Sequence, residues 1–66
     1  MKRGYWVRRD DPKVFRYVTA VRGDQVCHKH SRWYPAGSWQ DRAYFENVFE
    51  PASKERAAEL ARAYDE

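Results

Sequence analysis

The sequence predicts a single small α+β domain, in which an antiparallel sheet of three or four strands is packed by a C-terminal α-helix. Aromatic and β-branched residues fill the first half of the chain, and an alanine-rich segment of helical periodicity ends it. A chain of 66 residues buries only about 60% of its unfolded surface, which leaves little room for an enclosed pocket. We divide the domain into a basic β-meander over 1–34, a loop or short element over 35–52, and a helix over 53–64.

The first strand is predicted over 4–9, where aromatic and β-branched residues predominate, and the turn-forming sequence at 10–12 ends it. The second strand, over 13–22, is partly apolar on both faces, which is typical of a central strand. Strict alternation would place one set of side chains on one face and a second set on the other: Phe15, Tyr17, Thr19 and Val21 against Val14, Arg16, Val18, Ala20 and Arg22. We expect Phe15, Tyr17 and Val21 to pack under the helix with one or two of the tryptophans.

Gly23-Asp24 predicts a two-residue hairpin of type I′ or II′, because both turns need a positive φ that glycine adopts readily. The third strand then returns over 25–33. In that strand His28 and His30 would share one face, and Cys27 would point to the other. The sequence from Tyr34 to Gly37 is predicted to be a loop.

The segment over about 38–49 is compatible with two structures. Ser38 and Asp41 together resemble a helix-capping arrangement, and Phe45 and Phe49 recur at helical spacing. These features favour a short helix, which the proline at position 51 would end. The same two phenylalanines also fit one face of a fourth strand, so both alternatives remain open.

The C-terminal helix is predicted from its cap and its periodicity. Ser53 is a favourable N-cap residue, and the segment that follows is rich in alanine. Ala57, Leu60, Ala61 and Tyr64 recur at helical spacing and form a thin apolar stripe. We expect this stripe to lie against the sheet.

The net charge of +3 is unevenly distributed along the chain. Residues 1–33 hold nine Lys and Arg against three Asp, whereas residues 34–66 hold four against seven acidic residues. This asymmetry predicts a polarised surface. No apolar run has the roughly 18 residues of a membrane span, and no hydrophobic signal region follows the basic N-terminus. With a single cysteine as well, we expect a cytoplasmic protein without a membrane partner.

The sequence contains no arrangement typical of catalysis and no glycine-rich phosphate loop, so we predict a non-enzymatic protein without a cofactor. His28 and His30 are weak metal-ligand candidates, because a structural zinc site needs four ligands. Cys27 would face away from both histidines. A homodimer that shares the histidines between two copies stays open.

Basic and aromatic residues alternate closely along the three predicted strands, a composition typical of sheets that bind nucleic acid. We expect the arginines to contact phosphates, Trp6, Trp33 or Tyr34 to stack on bases, and Trp6 to line an open face with Arg8, Arg16, His28 and His30. The alternative is a small protein-binding modulator, such as a phage-type inhibitor or an accessory subunit, that uses the same surface. The candidate binding residues are Trp6, Arg8, Arg9, Arg16, Arg22, Lys29, Arg32, Trp33 and Tyr34.

Two segments resemble parts of known nucleic-acid-binding domains. Gly4-Tyr5-Trp6-Val7-Arg8 is similar to the first strand of the arm-type DNA-binding domains of phage and transposon integrases, and the segment 53–58 is similar to the start of their helix. Ser53-Lys54 before an alanine-rich helix also resembles the last helix of double-stranded-RNA-binding domains. The amino-acid composition of the chain, rich in Arg, Ala and Trp, resembles that of small phage proteins. These similarities imply nucleic-acid binding but identify no family.

Overall fold

The computed structural model describes residues 1–64, which form one five-stranded antiparallel sheet and two helices. The predicted α+β class and C-terminal helix are confirmed, and the sheet has five strands where three or four were predicted. The strands are ordered β4-β3-β2-β1-β5 across the sheet. In chain order the elements are β1 (Gly4–Arg8), β2 (Phe15–Arg22), β3 (Gln25–Lys29), β4 (Gly37–Asp41), α1 (Arg42–Val48), β5 (Phe49–Pro51) and α2 (Lys54–Tyr64).

The segment over about 38–49, for which the sequence allowed either a helix or a fourth strand, contains both a helix and strands. Asp41, and not Ser38, caps α1, because the Oδ2 atom of Asp41 accepts a hydrogen bond from the Tyr44 amide at 3.0 Å. Ser38 lies within β4. The helix ends before the proline at position 51 is reached, because Phe49 adopts an extended backbone and pairs with Arg8 of β1.

The predicted hairpin between β2 and β3 is confirmed, with Arg22 paired to Gln25. Gly23 has a φ of 59° and Asp24 has a negative φ, which selects a type II′ turn over type I′. Farther along β2, the pairing register shifts between Val18 and Ala20.

This shift is a bulge at Thr19, whose hydroxyl donates to the Cys27 carbonyl oxygen at 3.3 Å. The extra residue places Val21 on the same face as Val18, since their partners Val26 and His28 are two residues apart. The predicted grouping of Val21 with Phe15 under the C-terminal helix is therefore wrong.

One face of the sheet is covered by α1. Phe45 is fully buried there, its ring 4.7 Å from Phe49 and 5.5 Å from Trp6 between centroids. Val18 and Val26 complete this cluster. Trp6 is only 4% exposed, so the prediction that it lines an open face is wrong. The cause is α1, a helix that the sequence did not place over β1.

The opposite face is covered by α2, because neighbouring residues of β1 point to opposite sides. Tyr5 and Val7 pack there with Leu60, and Phe15 is partly buried against them. The predicted cap is confirmed, since the Ser53 hydroxyl accepts from the Arg56 amide at 3.1 Å. The predicted stripe faces the sheet through Leu60. Within residues 1–64, neither helix is long and apolar enough to cross a bilayer.

Candidate functional site

Three adjoining concavities lie at the end of the sheet that carries the 9–14 turn and the 30–36 loop. The first concavity, which Arg8 and Tyr44 also line, shares Arg16 and His28 with the second. The second concavity shares His30 and Tyr34 with the third. We call the combined surface the basic groove. Within residues 1–64 no Asp or Glu lines it, and its charged and aromatic lining consists of Arg8, Phe15, Arg16, His28, Lys29, His30, Tyr34, Tyr44, Phe49 and Tyr64.

Local turns position the ends of the basic groove. The Arg8 amide donates to the Val14 carbonyl at 2.9 Å and so closes the 9–14 turn beside the groove. In the 30–36 loop, the Tyr34 amide donates to the Ser31 carbonyl at 3.1 Å. The 9–14 turn follows from its Asp-Asp-Pro sequence, whose residues favour tight backbone conformations. The side chains of the groove therefore project from the ends of paired strands.

Two cations of the groove have no carboxylate partner among the residues that the structure describes. Within residues 1–64, the Arg16 guanidinium donates only to the neighbouring Phe15 carbonyl, at 2.6 Å, and Lys29 is in no ion pair. Arg8 is bound to Asp10 at 2.8 Å, but both side chains are largely exposed to water. An exposed pair of this kind stabilises the fold by less than about 1 kcal/mol. All three cations can therefore meet an external anion at little cost to the fold.

His28 forms the floor of the groove between its first two concavities. Its Nε2 atom lies 2.9 Å from Oε1 of Gln40, and its ring contacts Phe45 at a centroid distance of 4.8 Å. Burial lowers the pKa of His28 below its ordinary value of 6.5; the Gln40 hydrogen bond opposes this shift, and the charge of Arg16 adds to it. The neutral ring then donates from Nε2 to Gln40, and its buried Nδ1 atom has no hydrogen-bond partner among the described residues.

The third concavity is aromatic, and we call it the aromatic cleft: Phe15, His30, Tyr34 and Tyr64, with Ser31 at its edge. Tyr64 lies 4.8 Å from Phe15 between ring centroids, and His30 lies 5.4 Å from Tyr34 in a perpendicular arrangement. Tyr34 and Tyr64 are 46% and 50% exposed. Their rings are thus accessible from solvent although each rests on another ring.

The structure brings four of the nine predicted binding residues into the basic groove: Arg8, Arg16, Lys29 and Tyr34. Trp6 is excluded from any open surface because it is buried beneath α1. Arg9 begins the 9–14 turn beside the groove but does not line it. Its Nη1 atom is 3.3 Å from Glu50, and its Nη2 atom donates to the Glu46 carbonyl.

The other three predicted residues lie outside the groove in two cation–π pairs. The Arg22 guanidinium is 5.3 Å from the Trp39 ring centroid on the half of the sheet face that α2 leaves open. The Arg32 guanidinium is 5.1 Å from the Trp33 ring in the 30–36 loop. The predicted surface is therefore divided into separate parts.

The two histidines do not share a face. His28 contacts Phe45 on the α1 side, whereas His30 lies 6.5 Å from the Phe15 ring on the α2 side. The predicted alternation fails at His30 because β3 ends at Lys29. No cluster of three or more His, Cys, Asp or Glu able to hold a metal occurs within residues 1–64. Cys27 is a free thiol that points away from His28.

Sequence reasoning missed Tyr44, Gln40 and Tyr64 as groove residues. Tyr44 precedes the buried Phe45 on α1, so its position becomes predictable only once the helix and its buried face are known. Gln40 alternates with Trp39 in β4, a strand too short to be read from five residues alone. Tyr64 was assigned to the buried stripe, and its contact with Phe15 agrees with that assignment although half of the side chain remains exposed.

Comparison of the chain with protein-family models, curated proteins and solved structures finds no match. The local similarities to integrase arm domains and to double-stranded-RNA-binding domains thus extend to no family-level match. A five-stranded sheet with helices on both faces also differs from the three-stranded, single-helix arrangement of those arm domains.

Proposed function

We propose that the protein binds nucleic acid, without catalysis, through the basic groove. The observation that carries this proposal is a groove that combines cations without carboxylate partners, Arg16 and Lys29, with accessible aromatic rings and no acidic lining residue in the described chain. Nucleic acid presents the two complementary chemistries, a line of phosphates for the cations and flat bases for the rings.

The order of the side chains along the groove supports the same ligand. Arg8 and Tyr44 line its first concavity, Arg16 and His28 stand at the boundary with the second, and Tyr34 stands at the boundary with the third. Cations and rings therefore follow one another around the end of the sheet, from the α1 side, where Arg16 pairs with Trp6, to the α2 side, where Lys29 pairs with Tyr17. A flexible polyanion that carries one base per phosphate can contact both in succession, whereas a small anion would use only one concavity.

The proposal is tested by fluorescence anisotropy with labelled oligonucleotides: single-stranded DNA, single-stranded RNA and duplex DNA, over a series of salt concentrations. We expect the logarithm of the association constant to fall linearly with the logarithm of salt, with a slope of about −0.7 for each phosphate contacted on a single strand. Absence of binding to every oligonucleotide at the lowest salt would overturn the proposal.

A double variant locates the binding on the surface. In Arg16→Ala/Lys29→Ala two phosphate contacts are removed, so the slope should become shallower by about 1.4 and the affinity should fall about 25-fold at 0.1 M salt. The matched control is Lys2→Ala/Lys54→Ala, which removes the same charge from a separate concavity that both lysines line. The control should change affinity less than about twofold, because neither lysine lines the groove and salt screens the longer-range attraction. Equal losses of affinity in both variants would show that binding responds to net charge alone and is not located in the groove.

The alternative function, a small protein-binding modulator, is favoured by one separate observation. Trp39 is 46% exposed and carries the Arg22 guanidinium over its ring, and tryptophan and arginine are enriched in the hot spots of protein interfaces. If no oligonucleotide binds, this pair becomes the preferred surface. Affinity capture with the wild-type chain and with Trp39→Ala then tests it, and the expected result is a partner that the variant fails to retain.

A further inference from the structure

We infer that the aromatic cleft receives one unpaired nucleobase, so that the protein prefers single-stranded to double-stranded nucleic acid. This inference rests on the proposed function, since the basic groove must first hold the strand. It specifies the ligand as a base that is not stacked within a duplex, and it assigns to Tyr34 and Tyr64 the role of stacking on that base.

The rings of the cleft are arranged around an open space. Phe15 is partly buried against the α2-side core, and Tyr64 leans on it at an interplanar angle of 45°. His30 is nearly parallel to Phe15, at 24°, and Tyr34 stands perpendicular to His30, at 88°. Aromatic walls therefore face the cleft from several directions, while half of each tyrosine stays exposed. A flat ring that enters finds faces and edges for stacking.

The neighbouring cations indicate that the flat ring belongs to a nucleotide. His30 and Tyr34 form the boundary with the second concavity, which Arg16 and Lys29 line. A base held in the aromatic cleft would thus have its phosphate next to cations that have no carboxylate partner in the described chain. In a duplex the base faces are covered by their neighbours, so a base must leave the stack before it can enter.

The experiment compares three labelled ligands of equal length: a single strand, an abasic single strand with the same phosphates, and a blunt duplex. We expect the base-bearing strand to bind at least about fivefold more tightly than the abasic strand, because stacking on an aromatic side chain contributes at this level for each base. The duplex should bind more weakly than the base-bearing strand.

Substitutions assign the effect to the cleft. Tyr34→Ala should reduce the affinity for the base-bearing strand and leave the affinity for the abasic strand unchanged, whereas Tyr34→Phe should keep both, because the ring is retained. Tyr64→Ala should act like Tyr34→Ala, and its fold is verified by circular dichroism since Tyr64 also packs on Phe15. Trp39→Ala is the matched control, an exposed aromatic residue outside the groove.

The possible failures are distinguishable. Equal affinity for base-bearing and abasic strands, or tighter binding to the duplex, would overturn the base-binding cleft and leave the basic groove in place. A loss caused by Trp39→Ala instead of Tyr34→Ala would also overturn it. Absence of binding to all three ligands at low salt would overturn both the cleft and the proposed function.

Discussion

The two ends of the sheet carry concavities of opposite charge. At the end with the 30–36 loop, the basic groove presents Arg16 and Lys29 without an acidic lining residue among residues 1–64. At the end with the β2–β3 hairpin, acidic residues outnumber the basic one. That concavity is lined by Gly23, Asp24, Asp41, Arg42, Ala43 and Glu46.

The difference lies in what the charged side chains do for the fold. At the hairpin end Asp41 caps α1, and Glu46 binds Arg42 at 2.8 Å one helical turn away. At the groove end Arg16 and Lys29 are in no ion pair with the described residues. Charges that stabilise α1 thus lie at the hairpin end, whereas the groove end holds two cations without a carboxylate partner in the described residues.

The largest effect is expected from a substitution of Phe45, which packs beneath both ends of the sheet. Phe45 is fully buried, follows the α1 cap and contacts His28 beneath the groove. Phe45→Ala should lower the free energy of unfolding by about 3–5 kcal/mol, against a total of about 3–10 kcal/mol for a chain of this length. Urea denaturation followed by circular dichroism measures this loss. Tyr44→Ala, at the exposed neighbouring position, should change stability by less than about 0.5 kcal/mol.

Two variants of intermediate effect test the hairpin end and the groove end of the sheet separately. Asp41→Ala removes the N-cap of α1 and should lower the free energy of unfolding by about 1 kcal/mol, with oligonucleotide affinity unchanged. Arg16→Ala/Lys29→Ala should show the reverse, with a loss of affinity and a stability within about 0.5 kcal/mol of the wild type. Urea denaturation measures the stability of each variant, and fluorescence anisotropy on the same samples measures its oligonucleotide affinity. If the double variant were unfolded, the groove cations would have a structural role and the comparison would be wrong.

The smallest expected effect concerns His28, the groove side chain that contacts both Gln40 and Phe45. Its pKa in the folded protein is lowered from 6.5 mainly by burial, so below about pH 6.5 the unfolded chain takes up a proton more readily than the folded chain. The free energy of unfolding should therefore fall as the pH decreases through this range, and level off below the folded-state pKa. Urea denaturation at several pH values should show a weaker dependence in His28→Gln. In the control His30→Gln, which retains His28, this contribution should persist.

Local signals in the sequence predicted the elements that depend on few distant contacts. Ser53 and the alanine-rich stripe were sufficient for α2, and Gly23 was sufficient for the hairpin, because capping and turn geometry are set by neighbouring residues. The bulge at Thr19 and the short strands β4 and β5 were not predictable in this way. Their pairing is determined by the rest of the sheet and by no pattern of their own.

The site was predictable in its chemistry and only partly in its location. Interleaved arginines and aromatics indicated a binding surface, and Arg16, Lys29 and Tyr34 do lie together. Burial of Trp6 depends on its contact with Phe45 of α1, and the ion pair of Arg9 with Glu50 joins the basic and acidic halves of the sequence. Counting charge along the chain therefore overestimated the polarity of the folded surface, since tertiary contacts neutralise part of it.

The connection made by α1 determines the curvature of the molecule. β4 and β5 are the two edge strands, yet only the seven residues of α1 separate them in sequence. In a flat sheet, four strand spacings would place these edges about 19 Å apart, whereas a helix of this length extends over only about 10 Å. The sheet must therefore curl towards α1, which makes the face with His28 and Arg16 concave and the face under α2 convex. The short helix thus connects the two edges across the concave face, and its length limits how far the edges can separate.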